Sequence, residues 1–385
     1  MSDTCRPTKC IIDLDAYNHN LDVIEDHVGG AKVVPVIKAD AYGHSLRLVV
    51  PELIARATER VAVALIEEAV RVRAAGFAGH IHVLGPTAAG QEHLYRDQDV
   101  EHTVVSVAAL DQLVRAVGGQ RCQVHLKLDT GMGRLGVIFD QAETLIAAAV
   151  RHRSVEVVGV FSHFANADSG DLADARQQLE RFHQAVEVFE KLGEPRPLRH
   201  MANSGGVAQL PESHLDLVRP GILTYGVYPS PETERTIDVR PVLSWHTKTS
   251  AEKVVPAGWP VGYGSTWRAT APTYVATLPV GYADGYLRHL SNRSDVLIGG
   301  KRRAVIGRVS MDQTVVEIGP ADPNRPSAGS AATDVVLLGR DGEQHIDAEE
   351  LAGQAGTIAY EVLTSISVRV PRVPLGGTPQ ITIEP

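Results

Sequence analysis

A lysine closes an apolar run in the segment "VIKADAYGHS", residues 36–45, and Tyr42 follows Lys38 four positions later. An amine that loses water or lies near other cations has a lowered pKa, so it becomes a nucleophile that can form Schiff bases. The alternative is a lysine at a strand end whose stem packs on apolar surface while its ammonium reaches water. Position alone leaves both interpretations open.

Other polar side chains also follow strand-like runs. They are Lys127 and Asp129 in "VHLKLD", His163 in "VVGVFSH", Asn203 and Ser204 in "LRHMANS", and Arg219 in "LDLVRP". If these strands are parallel and close into a barrel, their carboxyl ends meet at one mouth. Several cations and hydrogen-bond donors at one mouth predict a site for an anionic ligand.

Two of these endings suit a phosphate group. "NSGG", residues 203–206, places a hydroxyl at the start of a helical stretch, and "RPGI", residues 219–222, offers backbone N–H groups beside Gly221. Neither is specific by itself, because short motifs of this kind are often plain turns.

A dinucleotide-binding fingerprint is suggested by "GMGRLG", residues 131–136, and we reject it. The segment lies deep inside the alternating region, "KLD" puts charges where the fingerprint strand should be apolar, and Glu156 begins the next strand instead of ending it. The sequence contains no H-E-x-x-H or paired C-x-x-C zinc spacing, no P-loop and no G-x-S-x-G elbow. The sixteen histidines are scattered, so we expect no metal site and place only His163 at the mouth.

The elements that must position these residues are strands and helices that alternate from residue 11 to about 225, beginning with the strand "CIIDLD". About eight such repeats predict an N-terminal (β/α)8 barrel, with an open doubly wound sheet as the alternative. Strand-like runs with Gly, Pro and Asp turns follow, together with one helix at 347–355. We therefore predict an α/β protein with a barrel over residues 1–235 and a mostly antiparallel β domain over residues 236–385.

Composition narrows the function classes. The formal net charge of −9 disfavours nucleic acid and anionic membranes as partners, and the basic run "GGKRRAV" at 299–305 is predicted to be a solvated hairpin. The sequence has only three cysteines, Cys5, Cys10 and Cys122, and none lies at metal-ligand spacing from other ligand residues. This usage suits a reducing compartment. The sequence has no signal-peptide pattern and no long apolar run, so we expect a cytoplasmic protein.

Nine motifs in chain order resemble those of the bacterial alanine racemases. They are "KADAYGH", "HLKLDTGMGRLG", "FSHFANAD", "ANSGG", "LDLVRPGILTYG", "GYGSTW", "GYADGY", "GRVSMDQT" and "GTIAYE". Taken singly, "GYGSTW" and "GYADGY" are equally typical of hairpins whose tyrosines pack over a turn. The resemblance implies a fold-type III pyridoxal 5'-phosphate enzyme, with a (β/α)8 barrel and a β domain, that works as a head-to-tail homodimer.

The resemblance also implies roles for residues at the barrel mouth. Lys38 matches the lysine that carries the cofactor, Arg219 faces its pyridine nitrogen, and Arg134 lies near its phenolic oxygen and the substrate carboxylate. Lys127 aligns with a lysine that is often carbamylated and then orients Arg134. The implied phosphate ligands are Tyr42, Ser204, the backbone at Gly221 and Ile222, and Tyr360. Asn203, next to Ser204, is expected to be a further cofactor-binding residue.

A second group of residues is implied to act across the subunit boundary. Tyr263 resembles a second catalytic base that the partner subunit supplies, and His163 matches the histidine that links it to Arg219. Met311 and Asp312 match the residues that meet the substrate from the partner chain. Tyr282 and Tyr286 lie where the family narrows its entry channel.

Racemisation requires a proton to leave one face of Cα and return to the other, which two bases on opposite faces achieve. Because tyrosine is a weak base at neutral pH, we expect nearby cations, His163 and Arg219, to favour the phenolate of Tyr263. The resemblance implies interconversion of L- and D-alanine that supplies D-alanine for peptidoglycan. The alternatives are a serine or broad-specificity racemase of the same fold, and a non-catalytic pyridoxal phosphate carrier, which is usually the barrel alone.

Overall fold

A computed structural model describes residues 6–321 and 332–378, so Cys5 lies outside the described residues. The chain forms two compact units. The barrel unit comprises Ala16–Arg240 and Thr378, and the β unit joins the N-terminal residues through Asp15 to Pro241–Gly377. The long segment of the β unit thus begins at Pro241, whereas the sequence predicted a start at residue 236.

The first strand corrects the sequence prediction. β1 (Lys9–Asp13) pairs antiparallel with Leu243–Lys248 and parallel with Arg372–Leu375 in the β unit, instead of opening the barrel. An alternating strand and helix pattern gives the type of each element but not the sheet that the strand joins. That choice depends on pairing between residues far apart in the chain.

The barrel is a sheet of parallel strands in the order β2-β10-β9-β8-β6-β5-β4-β3, with β7 paired to β6. A parallel bridge between Val36 and Ala62 joins its two ends. The strands are β2 (Lys32–Val33), β3 (Arg60–Val63), β4 (His80–Pro86), β5 (Glu101–Val104), β6 (Cys122–Asp129), β7 (Val137–Ile138), β8 (Val155–Phe161), β9 (Leu198–His200) and β10 (Leu217–Val218). The predicted barrel is confirmed.

Helices precede or follow these strands. They are α1 (Leu14–Val28), α2 (Leu46–Ala55), α3 (Ile66–Ala74), α4 (Glu92–Asp97), α5 (Val107–Val117), α6 (Ala142–Arg151), α7 (Ala173–Lys191) and α8 (Ser204–Gln209). α7 buries Leu179, Phe182, Val186 and Phe189 at helical spacing against the barrel core. Each such side chain contributes roughly 1.5–3 kcal/mol when it is fully buried.

The β unit is mostly antiparallel, as predicted. One sheet has the order β17-β16-β19-β11-β1-β21 with β20 on β19, a second is β12-β15-β18, and a third is β13-β14. The strands are β11 (Leu243–Lys248), β12 (Ala251–Val255), β13 (Pro260–Val261), β14 (Trp267–Arg268), β15 (Thr273–Leu278), β16 (Asp295–Ile298), β17 (Lys301–Ala304), β18 (Thr314–Pro320), β19 (Asp334–Asp341), β20 (Gln344–Ile346) and β21 (Arg372–Leu375). The helices are α9 (Ala348–Ala355), which was predicted, and α10 (Ala359–Ser365).

Two smaller sequence interpretations are also tested by the fold. The basic run at 299–305 forms the turn and second strand of the β16–β17 hairpin, with Gly299 and Gly300 in left-handed conformations. Cys10 and Cys122 are buried free thiols. Within residues 6–321 and 332–378, no helix has both the length and the apolar composition needed to cross a membrane.

Candidate active site

The segment after Lys38 is a left-handed turn, although four-residue spacing such as that of Lys38 and Tyr42 is typical of an ordinary helical turn. Ala39, Asp40, Ala41 and Tyr42 have φ values of 53°, 53°, 56° and 52°. This conformation costs an L-residue roughly 1–2 kcal/mol. Strained backbone of this kind persists only where its surroundings hold it in place, and it concentrates at functional sites.

Hydrogen bonds hold the turn in place. The Ala41 N–H donates to the Ile37 carbonyl at 3.0 Å, and the Gly43 N–H donates to the Ala39 carbonyl at 2.9 Å. The Ala39 N–H donates to Glu68 Oε1 at 2.6 Å. Glu68 also accepts from the Ala64 N–H at the start of α3, so the lysine is anchored to a neighbouring strand–helix junction.

Two residues of the opening motif that had no assigned role complete this scaffold. Asp40 Oδ1 accepts a hydrogen bond from the Leu46 N–H at 2.9 Å, where α2 begins. His44 Nδ1 donates to the Ala41 and Tyr42 carbonyls, both at 3.0 Å, and its ring stacks on Tyr225 at 4.4 Å. The residues that follow Lys38 therefore fix the backbone from which the lysine projects.

Donors suited to a phosphate meet beside this turn. The Gly221 N–H donates to Ser204 Oγ at 3.0 Å, and a Cβ on Gly221 would lie 2.2 Å from the Tyr42 hydroxyl oxygen. Ile222 begins the 3₁₀ turn that follows Gly221, and Tyr42 and Ser204 are both buried. Glycine is thus needed at position 221 so that the tyrosine hydroxyl can approach the backbone.

Asn203 has a structural contact in this region. Its Oδ1 accepts a hydrogen bond from the Gly206 N–H at 3.0 Å and so caps the first turn of α8, which begins at Ser204. "NSGG" is therefore a helix start, as the sequence predicted. Its glycines pack closely, since a Cβ on Gly205 would lie 2.4 Å from the Ala167 carbonyl oxygen.

Two lysines at the mouth have lowered pKa values. Burial, followed by the charge of Arg134, lowers the pKa of Lys38, while Glu68 opposes the shift. Lys127 is 6% exposed, and burial together with the charge of Arg219 lowers its pKa to about 7. Its amine donates to the Leu128 carbonyl at 3.1 Å. Both amines are therefore closer to their uncharged, reactive form than a surface lysine is.

Arg219 is buried and firmly bound. Its Nη1 donates to His200 Nδ1 at 2.6 Å, and its Nη2 donates to the carbonyls of Ser162 at 2.9 Å and Met201 at 3.2 Å. These bonds use three of the five N–H donors of a guanidinium. Burial lowers the pKa of Arg219 to about 9, so it remains a cation at neutral pH.

His163 does not fit the expectation that it is a cation. Burial, and after it the charges of Arg219 and Lys127, hold its pKa well below the ordinary histidine value. A neutral imidazole among several cations can pass on or accept a hydrogen bond, but it cannot stabilise a phenolate by charge. The direction of this shift disfavours His163 as the cation of that hypothesis, whereas Arg219 remains one.

The "GMGRLG" loop wraps around a carboxylate. Asp129 Oδ1 accepts from the N–H groups of Gly131, Met132 and Gly133 at 2.9, 2.9 and 3.2 Å. In a dinucleotide site such amides face the pyrophosphate, but here they bind a side chain of the same loop. The loop instead presents Arg134, whose charge acts on Lys38 and Lys127.

The predicted residues of the β unit are more exposed. Tyr263, Met311 and Tyr282 are 71%, 53% and 42% exposed. The Tyr282 N–H donates to the Ser310 carbonyl at 3.0 Å, so Tyr282 and Met311 lie on neighbouring backbone. Asp312 Oδ1 accepts from Arg369 at 2.8 Å. Tyr360 is half-buried in α10.

Tyr286 does not fit the predicted access channel. It is 1% exposed, its ring packs edge-on against Trp245 at 5.9 Å, and its hydroxyl is 3.0 Å from Ser294 Oγ. A side chain buried within its own unit has no surface with which to line a channel. Of the two tyrosines, only Tyr282 keeps an exposed ring.

Sequence reasoning missed a buried polar group inside the barrel. His82, His125 and His200 come from three separate strands, and their ligand atoms lie within 4.8 Å of one another. His125 Nε2 is 2.9 Å from Glu101 Oε2. A signal was present in β6, where His125 shares the two-residue spacing of Lys127 and Asp129 and so faces the same way.

Comparison with known proteins identifies the family. Residues 12–229 match the model "Alanine racemase, N-terminal domain", and residues 242–374 match "Alanine racemase, C-terminal domain". The alanine racemase of Carboxydothermus hydrogenoformans is 40% identical over 373 residues, which is 96% of this chain and 99% of that protein.

Two solved structures support the same assignment. The alanine racemase of D-cycloserine-producing Streptomyces lavendulae has a TM-score of 0.89 at 37% identity, covering 98% of this chain and 99% of that one. The Bartonella henselae alanine racemase, solved with covalently bound pyridoxal phosphate, has a TM-score of 0.86 at 26% identity, covering 96% of this chain and 99% of that one. The chain therefore belongs to the alanine racemase family of enzymes.

Proposed function

We propose that the chain interconverts L- and D-alanine with pyridoxal 5'-phosphate held at the barrel mouth. The supporting observation is one arrangement of side chains, in which a lysine amine of lowered pKa projects from a strained turn beside the Tyr42, Ser204 and Gly221 donors. These groups fit an aldehyde that bears a phosphate, since the amine can bond to the carbonyl carbon while the donors bind the anion. When bound, the cofactor supplies an electron sink that acidifies the Cα–H bond of an amino acid.

The proton transfers fall to two residues in this proposal. Lys38 removes or returns the proton on one face of Cα, and Tyr263 of a second copy of the chain acts on the opposite face. A single base would have to swing across the bound substrate. Two fixed bases avoid that motion. After one turnover the base that removed the proton is protonated and the residue that returned one is deprotonated, which is the state that the reverse reaction requires.

Two arginines and one modified lysine position the reacting groups. Arg219 donates to the cofactor's ring nitrogen without giving up its proton, which limits reactions that need a fully protonated ring. Arg134 binds the substrate carboxylate. The amine of Lys127 reacts with carbon dioxide to form a carbamate and release one proton, and the resulting anion then orients Arg134.

A second copy of the chain is part of the proposal because Tyr263, Tyr282 and Met311 are exposed. Tyr282 and Met311 lie on neighbouring backbone, and clustered exposed apolar side chains of this kind mark an interaction surface. Mixing Lys38→Ala and Tyr263→Phe chains tests the shared site, because a hybrid dimer contains one site with both bases. Random exchange should restore up to about a quarter of wild-type turnover. If the mixture is no more active than its components, the sites are not shared.

The decisive test of the cofactor assignment is chemical labelling. Borohydride reduction of the holoenzyme should fix the cofactor to the peptide that contains Lys38, as mass spectrometry would reveal. Reduction of the Lys127→Met variant provides the control, because it removes the other mouth lysine of lowered pKa and should leave the label in place. Label on any other lysine would refute the assignment.

Substrate choice is tested separately. L-Alanine and L-serine are assayed for their D-products, and the gene is introduced into a bacterial strain that requires D-alanine for its cell wall. We expect faster turnover of alanine and growth without added D-alanine. Equal or faster turnover of serine would favour a broader racemase of the same fold.

A further inference from the structure

We infer that Glu101 is a positioning residue for Arg219, acting across the barrel interior through His125 and His200. This inference deepens the proposed function and rests on it, because Arg219 is there assigned to the cofactor's ring nitrogen. We call Arg219, His200, His125 and Glu101 the imidazole relay. It connects the mouth of the barrel, where Arg219 follows β10, to the opposite end, where Glu101 begins β5.

The relay is continuous. Arg219 Nη1 is 2.6 Å from His200 Nδ1, His200 Nε2 is 2.8 Å from His125 Nδ1, and His125 Nε2 is 2.9 Å from Glu101 Oε2. All four residues are at most 4% exposed. Each imidazole therefore uses both ring nitrogens in the relay, and water has little access to any of them.

The direction of every hydrogen bond is fixed by the two ends. A guanidinium only donates and a carboxylate only accepts. His200 must therefore accept at Nδ1 and, when neutral, donate from Nε2, and His125 must accept at Nδ1 and donate from Nε2 to Glu101. The two neutral imidazoles thus adopt one tautomer each, and polarisation along the chain strengthens the bond at Arg219.

The charges agree with this geometry. Burial lowers the pKa of His125 and holds that of His200 well below its ordinary value, so both rings are neutral at physiological pH. The pKa of Glu101 is lowered to about 2, although its burial opposes the shift, through hydrogen bonds from His125 and Arg60 and the charge of Arg60. A carboxylate bound directly to Arg219 would occupy N–H donors that the cofactor ring needs. It would also weaken the positive electrostatic field of Arg219 at the cofactor ring. The relay keeps the counter-charge two imidazoles away.

The neighbouring strands are shaped around the relay. A Cβ on Gly159, in β8, would lie 2.1 Å from His125 Nδ1, so only glycine leaves room for that ring between β6 and β9. On the other side, the His82 ring stacks on His125 at 3.9 Å, and His82 Nε2 bonds to Thr103 Oγ1 at 2.9 Å. A metal ion on the three histidines is the competing interpretation. It would require the bond between His125 and His200 to open and would place two more charges close to Arg219.

The test replaces Glu101 with glutamine in 15N-histidine-labelled protein, examined with and without pyridoxal phosphate. In the wild type we expect NMR to show His125 and His200 as neutral rings protonated at Nε2. Glu101→Gln should shift both sets of ring resonances and lower kcat about tenfold or more, with less change in KM, because Arg219 is displaced slightly. Gly159→Ala should perturb the same resonances by pushing His125 aside.

Two matched controls separate positioning from simple loss of stability. Glu52 is also a buried glutamate of the barrel unit, 1% exposed against 2% for Glu101, and it accepts from Asn18 and Thr378 outside the relay. Arg60→Gln breaks the salt bridge at the other Glu101 oxygen, 2.6 Å long, but keeps the carboxylate. Glu52→Gln should leave the two histidine spectra unchanged and kcat within about twofold. Arg60→Gln, which keeps the carboxylate, should change both less than Glu101→Gln does.

Three results would overturn the inference. They are unchanged His200 resonances and kcat in Glu101→Gln, the same loss of kcat in Arg60→Gln, and a transition metal bound to the three histidines of the purified protein. If the proposed function fails, borohydride does not label Lys38. The ring tautomers are measured in protein without cofactor, so they test the relay independently of that result.

Discussion

The barrel mouth and the exposed face of the β unit carry the two predicted bases in opposite environments. Around Lys38, the side chains of Tyr42, Ser204 and Arg219 are 6%, 3% and 4% exposed and are held by named hydrogen bonds. Tyr263 is 71% exposed in a turn between two glycines of positive φ. The mouth is organised within one chain, whereas the Tyr263 side chain has few contacts within the described chain and meets the substrate only in our proposal of a second copy.

The two environments suit different steps of the proposed reaction. Groups that must hold an anion and carry altered pKa values need burial, which a closed barrel provides within one chain. A base that must approach a bound substrate from the other side cannot come from the wall that holds Lys38. In our proposal a second copy of the chain supplies this base. The imidazole relay extends the ordered hydrogen bonds of the mouth from Arg219 to the opposite end of the barrel.

Replacement of Tyr263 should give the largest effect. Tyr263→Phe removes the proposed second base and should slow racemisation by about 10²–10⁴-fold. The cofactor's visible absorption should persist, and Cα exchange in deuterated water should continue for D-alanine, on which Lys38 acts. Tyr282→Phe, another exposed tyrosine of the same unit, serves as the control and should have a small effect. Near-normal turnover of Tyr263→Phe would show that Tyr263 is not a catalytic base, and the two regions would then not each carry one.

Removal of a buried cation from the mouth should give the next largest effect. The pKa of Lys127 is lowered to about 7, so the unfolded chain binds more protons than the folded chain between about pH 7 and the ordinary lysine value. Lys127→Met should therefore raise the free energy of unfolding by up to roughly 4 kcal/mol at pH 6 in carbonate-free buffer, and this gain should fade as the pH rises towards 10.

Denaturant unfolding at several pH values measures this gain, and bicarbonate sharpens the test. If Lys127 forms a carbamate, bicarbonate should stabilise the wild type but not Lys127→Met. A gain in stability that does not change with pH would show that packing, not charge burial, distinguishes this position.

A smaller effect is expected at the phosphate donors. Gly221→Ala places a Cβ where the Tyr42 hydroxyl lies and should weaken pyridoxal phosphate binding about tenfold, as measured by absorption titration of the apoprotein. Gly30→Ala is the control, because nothing lies within 4 Å of a Cβ there. Equal affinities in the two variants would mean that Gly221 and Tyr42 do not hold the phosphate.

Much of the architecture followed from the sequence because it rests on local patterns. Alternating runs predicted the parallel barrel, glycine-rich turns predicted the antiparallel unit, and polar residues at strand ends predicted that Lys38, Lys127 and Arg219 meet at one mouth. The left-handed turn after Lys38 was missed because Ala39, Asp40 and Ala41 do not by themselves prefer positive φ.

The sequence by itself determined the kinds of element, the side of the barrel on which the lysine lies and the family resemblance carried by its motifs. Only the tertiary structure decided that β1 joins the β unit, that burial lowers the pKa of His163, that Tyr286 is buried and that His125 and His200 connect Arg219 to Glu101. Each of these depends on contacts between residues distant in the chain. Burial and proton affinity are set by that surrounding structure, which residue type and spacing do not encode.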